Sequence, residues 1–176
     1  MKLQTRHTFV GDAPDIETSI TEGEALALYE LAQHCPAKLE IGAAYGFSTI
    51  LMALAGGFVV TVDPHTAHDN SLHGLRVNAI QAKVQNRVVA LVGRSNDVLP
   101  LLFGFFDLVF IDGDHRHAQV CCDIWAAQRV LSSTGRIVLH DYDEDSCPGV
   151  REAVQTTGIR GEPWRDTLWI SLPGGT

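Results

Sequence analysis

The sequence lacks an excess of positive charge and has no long hydrophobic run. Its 176 residues include 13 Lys and Arg against 21 Asp and Glu, which gives a formal net charge of −8. Proteins that bind nucleic acids or anionic membranes need a basic face, so this balance predicts no nucleic-acid and no membrane partner. No apolar run approaches the roughly 20 residues of a membrane span. The first 17 residues contain no apolar segment of the signal-peptide type, and we therefore expect a cytoplasmic protein.

Cysteine is also scarce. The four cysteines form no Cys-x-x-Cys pair and no zinc-finger spacing, so we expect reduced thiols rather than a disulfide framework. A chain of this length buries about 70% of its unfolded surface and needs neither disulfide nor metal to hold a core. The length predicts one domain, with an N-terminal segment and helix at 1–36 and a sheet-and-helix core at 37–176.

Short apolar runs alternate with helical patterns along the chain. The runs are rich in Val and Ile and apolar on both faces, as is typical of parallel strands covered on both sides. These predicted strands are 38–41, 58–62, 88–92, 107–111 and 136–139. Helices are predicted at 21–34, 48–55, 71–83, 95–102, 118–131 and 149–156, and an antiparallel hairpin at 159–172. Thr21 and Glu24 are predicted to form a capping box at the start of the first helix. This alternation predicts a doubly wound α/β sheet, whose ligands bind at the carboxyl ends of the strands.

The first strand ends in a turn with two glycines. Gly42 and Gly46 allow a tight turn and close approach of a ligand to the backbone, and Ser48 is placed to cap the following helix. The spacing lacks the middle glycine of the dinucleotide fingerprint, because Ala44 stands there. The Glu40 carboxylate suits a cationic ligand better than a pyrophosphate. An ordinary strand-to-helix turn also uses glycine, so this motif alone leaves a purely structural role open.

The second and third strands end in further polar residues. Asp63 lies 21 positions beyond Gly42, where an acid can accept hydrogen bonds from both ribose hydroxyls of a nucleotide. An Asp-Pro turn is the alternative for Asp63. Ser95 follows the third strand and is interpreted either as a helix N-cap or as a contact near an adenine.

The fourth and fifth strands bring carboxylates and imidazoles to one edge. Asp112 and His115 follow the fourth strand, and His140 and Asp141 follow the fifth. Neighbouring strands are about 4.8 Å apart, so Asp112 and Asp141 are placed to share one cation. The alternative is that these residues only cap helices and solvate loops.

Five segments between residues 39 and 143 together resemble a known family. They are LEIGAAYGFST, VVTVDP, VGRSNDVLPLL, FDLVFIDGDH and GRIVLHDYD. The chain resembles the class I S-adenosylmethionine (SAM)-dependent methyltransferases, and more narrowly the small-molecule O-methyltransferases of the catechol and macrolide-sugar types. The resemblance implies a Rossmann-like, mostly parallel seven-stranded sheet with helices on both faces and the last strand antiparallel. It also implies SAM as cofactor, methyl transfer to a hydroxyl of a small-molecule acceptor, and Mg²⁺ or another divalent cation as an aid. The sequence leaves open whether the chain forms a homo-oligomer.

The resemblance further implies roles for individual residues. The implied metal ligands are Asp112, His140 and Asp141, and His115 is the implied base, acting with Asp112 and Asp141 as the catalytic group. The implied cofactor-binding residues are Glu40, Gly42, Ala43, Ala44, Gly46, Ser48, Asp63, Ser95 and Asp112.

Two departures from the family patterns bear on the metal. Catechol-type enzymes follow the second metal aspartate with Asn, where this chain has Tyr142. Sugar-type enzymes carry two acids where this chain has His140 and Asp141. If His140 coordinates, its imidazole shifts the preference from Mg²⁺ towards a softer ion.

Two other functions remain open at this stage. An NAD-binding oxidoreductase has a similar fold, although the missing middle glycine and Glu40 count against it. A non-catalytic SAM-binding protein would keep the cofactor loop without a complete acceptor site. The absence of the Asn/Asp-Pro-Pro-aromatic element after the fourth strand counts against a nucleic-acid adenine methylase.

Overall fold

A single seven-stranded sheet forms the centre of the protein. The computed structural model describes residues 16–175, so the start of the N-terminal segment predicted within 1–36 lies outside the described range. The strand order is β3-β2-β1-β4-β5-β7-β6. The first five strands are parallel, and β7 runs antiparallel to both of its neighbours. The strands are β1 (Ala37–Ile41), β2 (Phe58–Asp63), β3 (Val88–Val92), β4 (Phe106–Ile111), β5 (Leu131–Leu139), β6 (Gly161–Pro163) and β7 (Trp169–Ser171).

Helices cover both faces of the sheet, as predicted. Because side chains alternate along a strand, β1 sends Leu39 and Ile41 to one face, where they pack with residues of α5 and α6. The opposite face packs against α1 and α2, with Phe110 of β4 among its buried residues. None of the helices within residues 16–175 is long and apolar enough to cross a membrane. The helices are α1 (Glu22–Ala32), α2 (Phe47–Leu54), α3 (Ser71–Gln81), α4 (Ser95–Val98), α5 (His117–Val130) and α6 (Pro148–Thr157).

Local signals in the sequence had mixed success. The capping box at the start of α1 is confirmed: Glu24 N–H donates to the Thr21 hydroxyl, and the Glu24 carboxylate accepts from the Thr21 N–H. Both predicted serine caps are wrong, because Gly46 precedes α2 and Arg94 precedes α4. Each serine instead lies inside its helix and donates its hydroxyl to a buried carboxyl group.

Two element boundaries differ from the predicted ones by more than two residues. The helix predicted for 95–102 ends at Val98 and continues as a 3₁₀ turn over Leu99–Leu101. Pro100 lies in that turn and has no N–H to continue an α-helix. Strand β5 begins at Leu131, five residues before the predicted start, and its pairing with β4 is irregular between Phe106 and Leu108.

The chain reverses its winding direction between β1 and β4, which is the switch point of the sheet. Strands β2 and β3 lie on one side of this pair, and β5 lies on the other. The switch point brings the turn after β1 against the turn after β4, and the Asp112 N–H donates to the Ile41 carbonyl at 2.9 Å. Gly42 has φ of +96°, and a Cβ added there would lie 2.2 Å from the Asp112 carbonyl oxygen. Glycine is therefore required at position 42 by the contact between two turns, before any ligand is considered.

This contact predicts a large stability loss for Gly42→Ala. Gly158→Ala is the matched control, because Gly158 also has a positive φ but has open space around its added Cβ. Both variants carry backbone strain of about 1–2 kcal/mol, and only Gly42→Ala adds a steric overlap. We expect its free energy of unfolding, measured by urea titration, to fall by about 1–3 kcal/mol more than that of the control. Equal losses would show that the two turns separate without cost.

Candidate active site

A cavity of about 820 Å³ opens at the carboxyl ends of β1, β2 and β4. Seven of the nine predicted cofactor-binding residues line it, namely Gly42, Ala43, Ala44, Ser48, Asp63, Ser95 and Asp112. Gly46 adopts a left-handed conformation and starts α2 behind the cavity wall. Glu40 is fully buried and lies beneath the turn rather than at the cavity surface.

Asp63 ties the glycine turn to the end of β2. Its Oδ2 accepts hydrogen bonds from the N–H groups of Ala43 at 2.8 Å and Ala44 at 2.9 Å, and its Oδ1 accepts from the His65 N–H at 2.5 Å. Ala44 has φ of +43°, a conformation that these contacts help to hold. The predicted ribose-binding acid is thus also the residue that shapes the turn.

Glu40 is a buried carboxyl group held by hydroxyls. Ser48 and Thr49 at the start of α2 each donate a side-chain hydrogen bond to it. Burial raises the pKa of Glu40 to about 7, despite these two donors. Glu40 therefore fixes α2 against β1, and its connection with the cavity runs through Ser48.

This environment predicts a pH-dependent stability. Because the pKa of Glu40 is raised on folding, the folded state keeps a proton that the unfolded state loses above pH 4.5, and stability falls as pH rises towards 7. We expect Glu40→Gln to remove up to roughly 3 kcal/mol of this fall, measured by urea unfolding at pH 5 and pH 8. The exposed-site control Glu152→Gln should keep the wild-type profile. An unchanged profile in Glu40→Gln would contradict a buried protonated Glu40.

A second buried carboxyl group lies at the β3 end of the cavity. The Ser95 hydroxyl donates to Asp123 Oδ1 at 2.6 Å, and Gln119 Nε2 donates to the same oxygen at 2.9 Å. Burial raises the pKa of Asp123 to about 6. Asp123 and Gln119 are not among the site residues predicted from the sequence. The available signal was an acid on the buried face of α5, three residues after Val120.

The four residues predicted to carry chemistry are brought together. His140 Nδ1 lies 3.1 Å from Asp112 Oδ1 and 3.1 Å from Asp141 Oδ2. His115 Nε2 lies 3.0 Å from Asp141 Oδ2 and 3.6 Å from Asp112 Oδ1. One donor atom from each residue lies within 4.8 Å of the other three. We call these four residues the rim cluster.

Glu24, whose only predicted role is in the capping box, supports the rim cluster from behind. His140 Nε2 lies 3.3 Å from Glu24 Oε2. Glu24 Oε1 accepts from the N–H and the hydroxyl of Thr167, at 2.9 Å and 2.6 Å. Although burial opposes ionisation, these hydrogen bonds and that from His140 lower the pKa of Glu24 to about 2. Glu24 is thus a buried carboxylate that fixes the orientation of the His140 ring.

The imidazoles and carboxylates of the rim cluster strongly affect each other's protonation. The carboxylates of Asp112 and Asp141 raise the pKa of His115 to about 10. Burial opposes ionisation of Asp141, but the two histidines outweigh it and lower the pKa of Asp141. His115 therefore holds its proton at neutral pH in this arrangement. A basic His115 requires that a cation neutralise the two carboxylates.

The rim cluster fits a divalent cation by its unsatisfied atoms. His115 Nε2 and His140 Nδ1 are buried and have no hydrogen-bond partner of acceptable geometry. Both nitrogens face the same carboxylate oxygens. Two nitrogen and two oxygen donor atoms that lie within 4.8 Å of one another form a set that one bound metal ion can satisfy.

Fold and site together define a class. A doubly wound sheet with a glycine turn, an acid at the end of β2 and a cavity at the switch point is typical of proteins that bind a nucleoside-containing cofactor. A methyltransferase-domain family model matches residues 39–142, which is more than half of the chain. The chain belongs to this methyltransferase family.

Known proteins agree with this assignment. The chain is 37% identical over 134 residues to a catechol O-methyltransferase of Mycobacterium tuberculosis (strain ATCC 25618 / H37Rv). The matched region covers 74% of this chain and 58% of that protein. It is 36% identical over 110 residues to a catechol O-methyltransferase of Niastella koreensis, covering 57% of this chain and 48% of that protein. The chain thus spans about half the length of the curated relatives it matches.

Solved structures show the same fold. Cofactor-bound Rv0187 from MTB superposes with a TM-score of 0.74 at 28% identity, over 94% of this chain and 85% of that one. An O-methyltransferase from Bacillus cereus in complex with SAH gives a TM-score of 0.69 at 21% identity, over 94% and 86%. The predicted seven-stranded methyltransferase fold is confirmed.

Proposed function

We propose that this protein transfers a methyl group from SAM to a hydroxyl of a small molecule, assisted by a divalent cation. The observation that carries the proposal is the position of Asp112. Asp112 lines the cavity beside the glycine turn, and its Oδ1 lies 3.1 Å from His140 Nδ1 in the rim cluster. The cofactor cavity and the cation site therefore share a residue, as a reaction between two bound reactants requires.

The proposed cofactor site follows the cavity wall. The backbone of Gly42, Ala43 and Ala44 is placed against the cofactor, with Asp63 on the ribose. Asp63 is suited to this role because its backbone contacts fix the carboxylate in one orientation. The remaining proposed contacts are Ser48, Ser95, Gln119 and Asp123, with Gly46 and Glu40 holding α2 in place behind them.

The proposed chemistry is a displacement at the methyl carbon of SAM. A bond forms between that carbon and the acceptor oxygen, and the bond to sulfur breaks with its electron pair left on sulfur. The acceptor hydroxyl must lose its proton, and a cation held by Asp112, His140 and Asp141 would stabilise the resulting oxyanion. In the role implied by the resemblance, His115 accepts that proton. The relatives named as catechol O-methyltransferases make a catechol the first acceptor to test.

Several broader expectations remain predictions. They are the single domain over 1–176, the cytoplasmic location, a homo-oligomer and the absence of nucleic-acid and membrane partners. Exposed apolar side chains support self-association, since Phe103 is 96% and Phe105 is 76% exposed. Neither the NAD-dependent nor the non-catalytic alternative is favoured by a particular contact in the described residues.

The proposed ribose contact predicts a loss of affinity in Asp63→Asn. Removing the charge weakens hydrogen bonds worth about 1.5–3 kcal/mol, so the Kd for SAM measured by calorimetry should rise at least tenfold. The control Asp69→Asn changes an exposed aspartate outside the cavity and should bind as wild type does. Melting temperatures of both variants separate loss of binding from loss of folding. Wild-type protein that binds NAD and has no affinity for SAM would overturn the proposal.

Removing divalent ions should stop methyl transfer without removing the cofactor. With a catechol as acceptor, we expect chelator-treated protein to lose activity at least a hundredfold, because an unassisted hydroxyl is a weak nucleophile. SAM binding measured by calorimetry should remain, since the cavity extends well beyond Asp112. Asp141→Ala should abolish the response to added metal. Full activity in excess chelator would remove the cation from the mechanism.

A further inference from the structure

We propose that the rim cluster is a four-ligand site for a first-row transition-metal dication of the Zn²⁺ or Co²⁺ kind, not for Mg²⁺. All four side chains, Asp112, His115, His140 and Asp141, supply one donor atom each, and Glu24 positions His140. This inference rests on the proposed function for the role of the ion, but its evidence lies in the donor set. It replaces the role of His115 as a free base with that of a ligand.

The spacing of the four donor atoms fits a single transition-metal ion. Ligands at about 2.0–2.2 Å from one transition-metal ion stand about 3–3.5 Å apart. The four measured contacts between the imidazole nitrogens and the carboxylate oxygens are 3.0, 3.1, 3.1 and 3.6 Å. His115 satisfies this spacing as well as His140 does. A base that only waits for an acceptor proton has no need to share the carboxylates in this way.

Both imidazoles of the rim cluster have a buried nitrogen atom without a hydrogen-bond partner. His140 is 2% exposed, and its Nδ1 has no hydrogen-bond partner. A buried polar nitrogen without a partner is costly, and a metal ion removes that cost. His115 Nε2 is buried without a partner too, although its ring as a whole is one-third exposed.

The Glu24 carboxylate holds His140 on the side of the ring that faces away from the rim cluster. Imidazoles that bind metals usually donate their second ring N–H to a carboxylate, which fixes the tautomer and makes the ring a better ligand. Glu24 Oε2 lies 3.3 Å from His140 Nε2, and Glu24 is itself held by Thr167 and Thr21. Glu24 and His140 are both almost completely buried. His140 is thus oriented with Nδ1 towards the shared carboxylates.

The donor chemistry then selects the ion. Mg²⁺ prefers six oxygen ligands and retains several waters. Imidazole favours later first-row ions such as Zn²⁺, Co²⁺ and Ni²⁺. Two of four protein ligands are imidazoles here, and the two aspartate carboxylates balance the charge of a dication. A site that had a carboxylate in place of the His140 imidazole would suit Mg²⁺ better than this one does.

The test uses the chelator-treated chain of 176 residues without cofactor or acceptor. Binding of Zn²⁺, Co²⁺ and Mg²⁺ is measured by competition with a chromophoric chelator, and the zinc ligands are counted by X-ray absorption. We expect Zn²⁺ to bind at least a thousandfold more tightly than Mg²⁺, with two imidazole ligands. Absence of imidazole from the zinc shell, or Mg²⁺ binding within tenfold of Zn²⁺, would overturn the proposal.

Variants assign the individual residues. His115→Ala and His140→Ala should each reduce the imidazole count to one and weaken Zn²⁺ binding at least tenfold. His140→Asp should narrow the ratio of Zn²⁺ to Mg²⁺ affinity. The control His117→Ala should bind as wild type does, because His117 contacts Thr156 and Cys121 outside the rim cluster. Unchanged Zn²⁺ affinity in His115→Ala, with a lowered kcat, would restore His115 as a base and contradict its assignment as a ligand.

Glu24→Gln tests the positioning role. It should weaken Zn²⁺ binding roughly ten- to a hundredfold while the count of two imidazoles is retained. Unaltered Zn²⁺ binding in folded Glu24→Gln would refute that role. The ion assignment and the proposed function fail separately. Tight zinc binding without SAM binding or methyl transfer would contradict only the proposed function. Methyl transfer with Mg²⁺ at a site without imidazole ligands would contradict only the ion assignment.

Discussion

The buried imidazole of His140 is the interaction on which the geometry of the site depends. One ring connects α1, the end of β4 and the end of β5, through Glu24, Asp112 and Asp141. Its two nitrogens face different partners, so rotation of the ring would break contacts on both sides. Because Asp112 also lines the cavity, the orientation of one imidazole links the helix before the sheet to the cofactor end of the site.

The rim cluster could be predicted from the sequence because its residues follow two neighbouring strands of the sheet. The carboxyl ends of neighbouring parallel strands meet at one edge, so local hydrophobic patterns sufficed to place Asp112 and His140 together. The contact between Glu24 and His140 could not be predicted in this way. The two residues are 116 positions apart, and the capping role of Glu24 was by itself a sufficient explanation for an acid there. Asp123 was hidden for a related reason: which neighbour a buried acid meets is decided by packing between elements, not by helix periodicity.

The prediction that Ser48 and Ser95 cap helices is wrong at both positions for the same physical reason. A hydroxyl near a helix start can accept a hydrogen bond from a backbone N–H or donate one to a carboxyl group, and the sequence does not show which partner is near. In Ser48 and Ser95 a buried carboxyl group is the partner. The glycine turn was recognised correctly, but the φ of Gly42 is required by the Asp112 carbonyl, a contact between turns about 70 residues apart.

The carboxyl groups around the cavity divide into two kinds, and the division follows their donors. Glu40 and Asp123 meet neutral donors, and burial raises their pKa values to about 7 and about 6. The pKa values of Asp112 and Asp141 are lowered despite burial, because imidazoles face them. The carboxylates that face imidazoles thus lie at the β4–β5 end of the site, where a cation would take the place of the imidazole protons. His115 is the most exposed member of the rim cluster, at 33%, whereas Glu24 closes the side of His140. Under the proposed function, an acceptor would therefore reach the rim cluster from the side of His115. The residue proposed as the fourth ligand of the ion would then also be the one that the acceptor meets.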